Sequence, residues 1–258
     1  MKKLIALILV AAMAISACVL FASCGEEEQK TLQVYTNAGF APFEYVNTKG
    51  EVVGVDIDIM NYIGKELGYK VVINDIEFKQ ILNEVGKNEL AVGAAGMSKK
   101  AERDEVALAS DVYATSVQYI IAPVGTFADG EVVDHAKLLS TADKIGVQAG
   151  TTGQYLIEEE IAAESVSNQI FEYSNAIVAS QDIGSTVDAV VIDELPAKAI
   201  SGADSKLACW KIDTDPETYV LYFNLKATDL VAKVNEIIKK MQADGTIDQY
   251  IVNHSNGD

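Results

Sequence analysis

The chain has 258 residues, 49% of them hydrophobic, with only 18 Gly and 4 Pro, so it can bury the core of one large domain or two small ones and does not read as disordered. Acids outnumber bases 38 to 20, a formal charge of −18, which excludes a protein that tracks a phosphate backbone. The cysteines are Cys18, Cys24 and Cys209 and the histidines His135 and His254, too few for a disulfide framework, a cysteine-rich zinc site or most histidine-based chemistry.

Met1-Lys2-Lys3 opens the chain as a basic head, and Leu4 to Ser23 is an uncharged run of apolar and small residues ending at Cys24. A run of about 20 apolar residues could span a bilayer, but small residues followed by cysteine read as a signal peptide, residues 1–23, cut before that cysteine. Phe21-Ala22-Ser23-Cys24 resembles a bacterial lipobox, with Phe21 off the aliphatic preference; Ile15-Ser16-Ala17-Cys18 fits the pattern better but would leave Val19-Leu20-Phe21 on the mature end. Cys24 is therefore the expected lipidation site, its diacylglycerol holding the protein to a membrane. Residues 24–30, with Glu26-Glu27-Glu28, read as a solvated tether.

Beyond the tether, strands and helices alternate. Leu32–Tyr35 is a strand, followed by a loop Asn37–Tyr45 with Pro42. Asp56 is placed to cap a helix carrying Ile59, Ile63 and Leu67 and stopping at Gly68. Lys70–Ile76 is β-branched, a second helix carries Ile81, Leu82 and Val85, and Leu90–Met97 is an apolar strand. This β-α-β-α-β order implies a parallel sheet. Gln118–Val124 is a strand, and the rhythm restarts with strand Lys144–Gln148, helix Thr152–Ile161, strand Gln169–Tyr173, helix Ala176–Asp182 and strand Val187–Ile192. A strongly amphipathic helix over 228–243 follows, ending at Gly245. There is no G-x-G-x-x-G, Walker loop, G-x-S-x-G or H-E-x-x-H. Gly146-Val-Gln-Ala-Gly150-Thr-Thr-Gly153 is a strand, a glycine turn and a helix start, which is either an ordinary βα turn with threonine caps or a site whose free amides attract an anion.

Six short blocks in order carry a resemblance. They are Phe40-Ala-Pro-Phe-Glu44; Gly54-Val-Asp-Ile-Asp58; Ala95-Gly96-Met97-Ser98 with Arg103; Gly146-Val-Gln-Ala-Gly150-Thr-Thr; Asp188-Ala-Val-Val-Ile-Asp193; and Asn235 through Asp244-Gly245-Thr246. From about Thr31 to His254 the chain resembles the amino-acid-binding proteins of ABC importers, the solute-binding class of the histidine and glutamine receptors. The resemblance implies an α/β, periplasmic-binding-protein-like fold: two α/β lobes joined by a two-strand hinge with the ligand in the cleft. Lobe 1 would be residues 31–114 and 219–258, lobe 2 residues 118–216, and the hinges near Ala114–Gln118 and Glu217–Val220.

It also implies roles. A free amino acid is a zwitterion, and hiding it from water is costly unless both charges are met. Arg103 would fork onto the α-carboxylate, with Ser98 and the Thr151–Thr152 helix start completing the cradle, and Asp193 would take the α-ammonium. From residues alone, Arg103 reads as a surface helix arginine beside Glu102 and Asp104, and Asp193 equally well as a helix N-cap before Glu194-Leu-Pro. Ala95 and Gly96 would line the floor, Phe40 and Phe78 would sandwich the ligand side chain, and Phe43 reads as core.

Three departures from the family stand out. Asn37 occupies a place where an acid is common and so argues against lysine, arginine or histidine as ligand; Lys99-Lys100 removes the usual threonine cap before Arg103; and Ala109 replaces a usual phenylalanine. Gln148 points to a polar or neutral ligand, such as glutamine or cystine. The expectation is a monomeric, membrane-tethered receptor that delivers a polar or neutral L-amino acid to an ABC permease and uses neither cofactor nor metal. A cyclohexadienyl dehydratase-like enzyme on the same fold is disfavoured because no glutamate reads as buried with a second catalytic partner. A sensor module is disfavoured because no kinase, muramidase or membrane span follows.

Overall fold

The computed structural model describes residues 29–255. The expected signal peptide, Cys18, Cys24 and most of the expected tether lie outside the described residues. Strand β1 (Thr31–Thr36) is followed by a loop containing a cis Ala41–Pro42 bond, then by the short hairpin β2 (Tyr45–Val46) and β3 (Val52–Val53) and helix α1 (Val55–Leu67). Strand β4 (Lys70–Asp75), helix α2 (Ile81–Val85), strand β5 (Ala91–Gly93), the one-turn helix α3 (Ala101–Asp104) and strand β6 (Leu108–Ala109) complete the first run.

These strands form a sheet of order β4-β1-β5-β15-β6, in which β1 runs parallel to β4 and β5 as the βαβ rhythm requires. Strand β15 (Tyr222–Phe223) comes from near the far end of the chain and lies antiparallel to β5 and β6. Helix α1 ends in a left-handed Gly68, and its face of Val55, Ile59, Met60 and Ile63 packs into the core with Leu32 and Val34.

Strand β7 (Ala114–Ser116) leads out of this sheet to β8 (Gln118–Pro123). The second sheet then gathers β9 (Val132–Val133), β10 (Lys144–Gln148), β11 (Gln169–Tyr173), β12 (Ala189–Asp193) and β13 (Leu207–Ile212) in the order β11-β10-β12-β8-β13-β9. Helices α4 (His135–Thr141), α5 (Thr152–Glu164), α6 (Ala176–Gln181) and α7 (Glu194–Ala203) connect them. Strand β14 (Glu217–Tyr219) returns to the first sheet and pairs antiparallel with β7, Thr218 opposite Thr115. Helix α8 (Thr228–Ala243) buries Leu230, Val234, Ile237, Ile238 and Met241 as its spacing predicts, and α9 (Thr246–Ser255) closes the described chain. Two α/β lobes are therefore linked by two crossing strands.

Several local expectations need correction. Asp56 is not the cap of α1: Gly54 holds that position, and Asp56 sits inside the first turn with its carboxylate turned inward. The strand expected over Leu90–Met97 stops at Gly93, because the chain turns through Gly96 at φ +53. Helices α4, α7 and α9 and strand β13 have no counterpart in the sequence pattern. Helix α7 begins despite Pro196, which falls in the first turn, where an N–H has no helical acceptor to lose. Phe43 is core, as expected.

Candidate functional site

The crossing strands bring the ends of both sheets to one cavity. It is lined by Phe40, Glu44, Phe78, Ala95, Gly96, Ser98 and Arg103 from the first lobe and Gln148, Thr151, Thr152 and Asp193 from the second. Every residue proposed from the sequence lies there except Asn37. Only about 10 Å³ of the cavity remains open, room for about one water. A larger space of about 540 Å³ adjoins it, sharing Phe78 and Arg103 and reaching Lys79, Lys100, Tyr155 and Glu158.

Arg103 is buried, not a surface arginine. The one-turn helix begins at Lys100 without any side-chain cap, and the guanidinium is fixed instead by what it touches. Nη1 donates to the Ser98 carbonyl at 2.8 Å, Nη2 to the Gly150 carbonyl of the opposite lobe at 3.2 Å, and the Phe78 ring lies 5.4 Å away. Burial lowers its pKa, yet an arginine keeps its charge. The site thus holds a desolvated cation that touches both walls.

Asp193 ends β12 and occupies the N-cap position of α7, but its side chain makes no cap bond. The carboxylate accepts from the Tyr219 hydroxyl at 2.6 Å. Burial, then the charge of Glu217, pushes its pKa up to about 7, against the lowering effect of that hydrogen bond. Of its two readings from the sequence, the backbone supports the cap and the side chain supports the site.

The glycine turn Gly146–Gly153 feeds α5, where Thr151 is the N-cap and accepts from the Gln154 N–H. The Thr151 hydroxyl itself donates to the Gln148 carbonyl at 2.8 Å, and Thr152 Oγ1 accepts from Gln118 Nε2 at 3.3 Å. Ser98 donates its hydroxyl hydrogen to Glu217, which also accepts from Gln118 Nε2 at 3.0 Å. Ser98 and Thr151 have therefore spent their hydroxyl hydrogens, whereas Thr152, which only accepts, keeps its own; that hydroxyl, the guanidinium and the leading amides of α5 remain as donors to a carboxylate.

Phe40 packs against Phe43 and Tyr219 at 5.9 and 6.4 Å and closes over Gly96, where a Cβ would come within 2.5 Å of its ring. Gly96 donates its N–H to Asp56 Oδ2 at 2.9 Å, and the Tyr113 hydroxyl donates to Asp56 Oδ1 at 2.7 Å. Burial raises Asp56 to about 6 despite both bonds. Asn37 stands one step behind the cavity: its Nδ2 donates to the Ile76 carbonyl, and its Oδ1 accepts from Gln148 Nε2 at 2.9 Å, joining the two lobes.

Four residues were missed from the sequence. Gln118, Glu217 and Tyr219 sit on or beside the crossing strands, where no local pattern marks them. Glu44 corrects one half of the expectation that no glutamate is buried with a second catalytic partner, the burial: it is 1% exposed, and Oε2 has no hydrogen-bond partner. Burial holds its carboxyl well above the usual carboxylate range, and Asp56, Asp193 and Asp75 push the same way. Its signal was the acid closing an otherwise apolar block, Phe40-Ala-Pro-Phe-Glu44.

Residues 32–255 match the bacterial extracellular solute-binding proteins, family 3. The chain belongs to that family. It is 28% identical over 202 residues to a probable histidine-binding protein of Neisseria gonorrhoeae, covering 75% of this chain and 72% of that one. It is 26% identical over 250 residues to the arginine-binding extracellular protein ArtP of Bacillus subtilis, covering 91% and 93%. An ancestral arginine-binding protein, solved with arginine bound, superposes with a TM-score of 0.78 at 27% identity over 88% of this chain and 98% of that one. This family-3 chain is thus a solute-binding protein of the amino-acid importer type, and the relatives named above are binding proteins. Among the described residues no helix is long and apolar enough to cross a membrane, and no group of histidine, cysteine or acidic side chains could hold a metal ion.

Proposed function

We propose that this protein captures an L-amino acid with a polar or neutral side chain outside the cytoplasm and delivers it to an ABC permease, tethered by a lipid on Cys24. The observation that carries the reading is the pairing of Arg103 and Asp193, both buried, on opposite walls of one cavity. A zwitterion is the simplest guest that answers both. The guanidinium takes the α-carboxylate in a fork, helped by the leading amides of α5, and Asp193, once ionised, takes the α-ammonium. Phe40 and Phe78 flank the side chain while Ala95 and Gly96 form the floor.

The remaining 10 Å³ cannot admit an amino acid, so entry requires the lobes to part. The β7 and β14 crossing strands, bounding lobes of residues 31–114 with 219–258 and of 118–216, are the proposed hinge. Because the two charges lie on different lobes, only the closed form grips both ends of the ligand, and binding shifts the population toward it. The relatives' names point to histidine and arginine, whereas Gln148 presents an amide to the cavity here with Asn37 behind it.

Calorimetry against the twenty amino acids tests the reading. One or a few should bind, with affinity lost at least a hundredfold in Arg103→Ala while its melting transition persists. Failure of every amino acid to bind, or unchanged binding in Arg103→Ala, overturns it. The tether has its own test: Cys24→Ala should release the protein from the membrane fraction.

A further inference from the structure

The cavity holds one more acidic group than a zwitterion needs. Arg103 answers an α-carboxylate and Asp193 an α-ammonium, which leaves Glu44 over. Its side chain lines the same cavity, is buried, and has one oxygen without any hydrogen-bond partner. A buried polar oxygen left unmet is destabilising, so a group with nothing to accept from is poorly placed unless a guest supplies the donor.

The surrounding chain fixes where Glu44 points. Its backbone is tied twice to Phe40, with the Phe40 N–H donating to the Glu44 carbonyl at 2.8 Å and the Glu44 N–H to the Phe40 carbonyl at 3.2 Å. Gly54 presses on the same segment: at φ +136, any Cβ there would lie 2.2 Å from the Phe43 carbonyl oxygen. The carboxyl is therefore carried by the strut that carries the Phe40 ring.

Asn37 supports the same assignment from the other side. Asn37, whose Nδ2 and Oδ1 are turned to Ile76 and Gln148, does not line the cavity. Its amide therefore cannot discriminate against cations by direct contact.

We propose that Glu44 is the acceptor for the far end of the ligand's side chain, so that the pocket selects a side chain ending in N–H donors, an amide, ammonium or guanidinium, over one that is apolar or ends in a carboxylate. This rests on the cavity being the amino-acid site, and it admits the cationic side chains against which Asn37 argues in the sequence. A carboxylate end would bring its charge against Glu44 in a cavity shared with Asp193, with Arg103 already matched to the α-carboxylate and no second cation among the lining residues, so that charge would be desolvated and unanswered.

The test is calorimetry with L-arginine, L-lysine, L-glutamine, L-glutamate and L-norleucine on wild type, Glu44→Leu and Glu44→Gln. Wild type should bind at least one donor-bearing ligand ten times more tightly than both norleucine and glutamate. Glu44→Leu should cost that ligand at least tenfold and norleucine less than threefold. Glu44→Gln should keep glutamine within threefold while losing at least tenfold on arginine or lysine. A wild-type preference for norleucine or glutamate overturns the proposal without needing any variant to fold. So does a uniform loss across all ligands in Glu44→Leu, which would mark a merely structural glutamate, or no loss at all. The underlying reading fails separately, by the absence of any Arg103-dependent binding to wild type.

Discussion

The two walls of the cleft are built differently. The second lobe presents Gln148, Thr151, Thr152 and Asp193 from strand ends and helix starts, so the regular ladder of β10, β11 and β12 sets their positions. The first lobe presents Phe40, Glu44, Gly96, Ser98 and Arg103 mostly from irregular chain and a one-turn helix. Irregular backbone holds its place only through specific clamps: Asp56 on Gly96 and Tyr113, Asp75 Oδ1 on the Ala38 N–H at 2.9 Å, and Arg103 on Ser98. The difference teaches that burial alone does not mark a ligand group, because each wall spends some buried polar groups on structure and turns others to the cavity. Asp56 and Asp193 are both buried aspartates at the start of a helix, yet the first spends its oxygens on its own lobe and the second faces the cavity.

That contrast can be broken most forcefully at Asp56. Asp56→Ala leaves the Gly96 N–H and the Tyr113 hydroxyl without their acceptor and should cost about 3 kcal/mol of stability, with ligand affinity falling as the floor loosens. Denaturant unfolding reads it, and a midpoint equal to wild type would end the distinction between clamped and regular walls.

Asp193→Asn should do the opposite to stability. The folded carboxyl titrates at about 7, whereas in the unfolded chain it titrates near 3.8. Between those values the folded protein holds a proton that the unfolded chain has lost, so ligand-free stability falls as pH rises, by about 1.4 kcal/mol per pH unit for such a carboxyl. Asp56, raised to about 6, acts in the same sense over the lower part of that window. The Asn variant escapes the Asp193 share. It should melt above wild type by a margin that widens from pH 5 to pH 7 and then levels, while binding at least tenfold more weakly. A margin independent of pH would count against a protonated Asp193. Wild-type affinity should rise across the same interval, because only the ionised carboxylate meets an α-ammonium.

A smaller effect is expected at Gly96. Its left-handed backbone costs an ordinary residue about 1–2 kcal/mol, and a methyl group there would push Phe40 out of the cavity. Gly96→Ala should lower affinity more than it lowers the melting temperature; equal binding would show that Phe40 does not need its present seat. The least disruption belongs to the regular wall. Thr151→Ala removes the α5 cap at a cost of about 1 kcal/mol and should leave affinity within a few-fold, since the leading amides stay where the helix puts them.

Sequence patterns made much of the fold legible. Strand Gln169–Tyr173 and helix Thr228–Ala243 fall on the residues their spacing marks, because burying one face writes a periodic signal into the chain. Helix α7 escaped that reading because Pro196 looks like a breaker until the helix start is known, and β13 because its alternation runs through Cys209 and Trp210 without a bounding turn pair. In the site, Arg103 and Asp193 could be singled out only by resemblance, since each carried an equally good local role. Glu44 stood inside a quoted block without a role.

By itself, the sequence determined which residues are apolar at which period, where glycine must turn the chain, and the acidic balance that turns the protein away from nucleic acid. Tertiary structure alone decided which polar side chains are buried and which of those are already satisfied. Burial and hydrogen bonding depend on neighbours far along the chain, as when Gln148 reaches Asn37 across 111 residues or Tyr113 reaches Asp56 across 57, and no local window of sequence contains both partners.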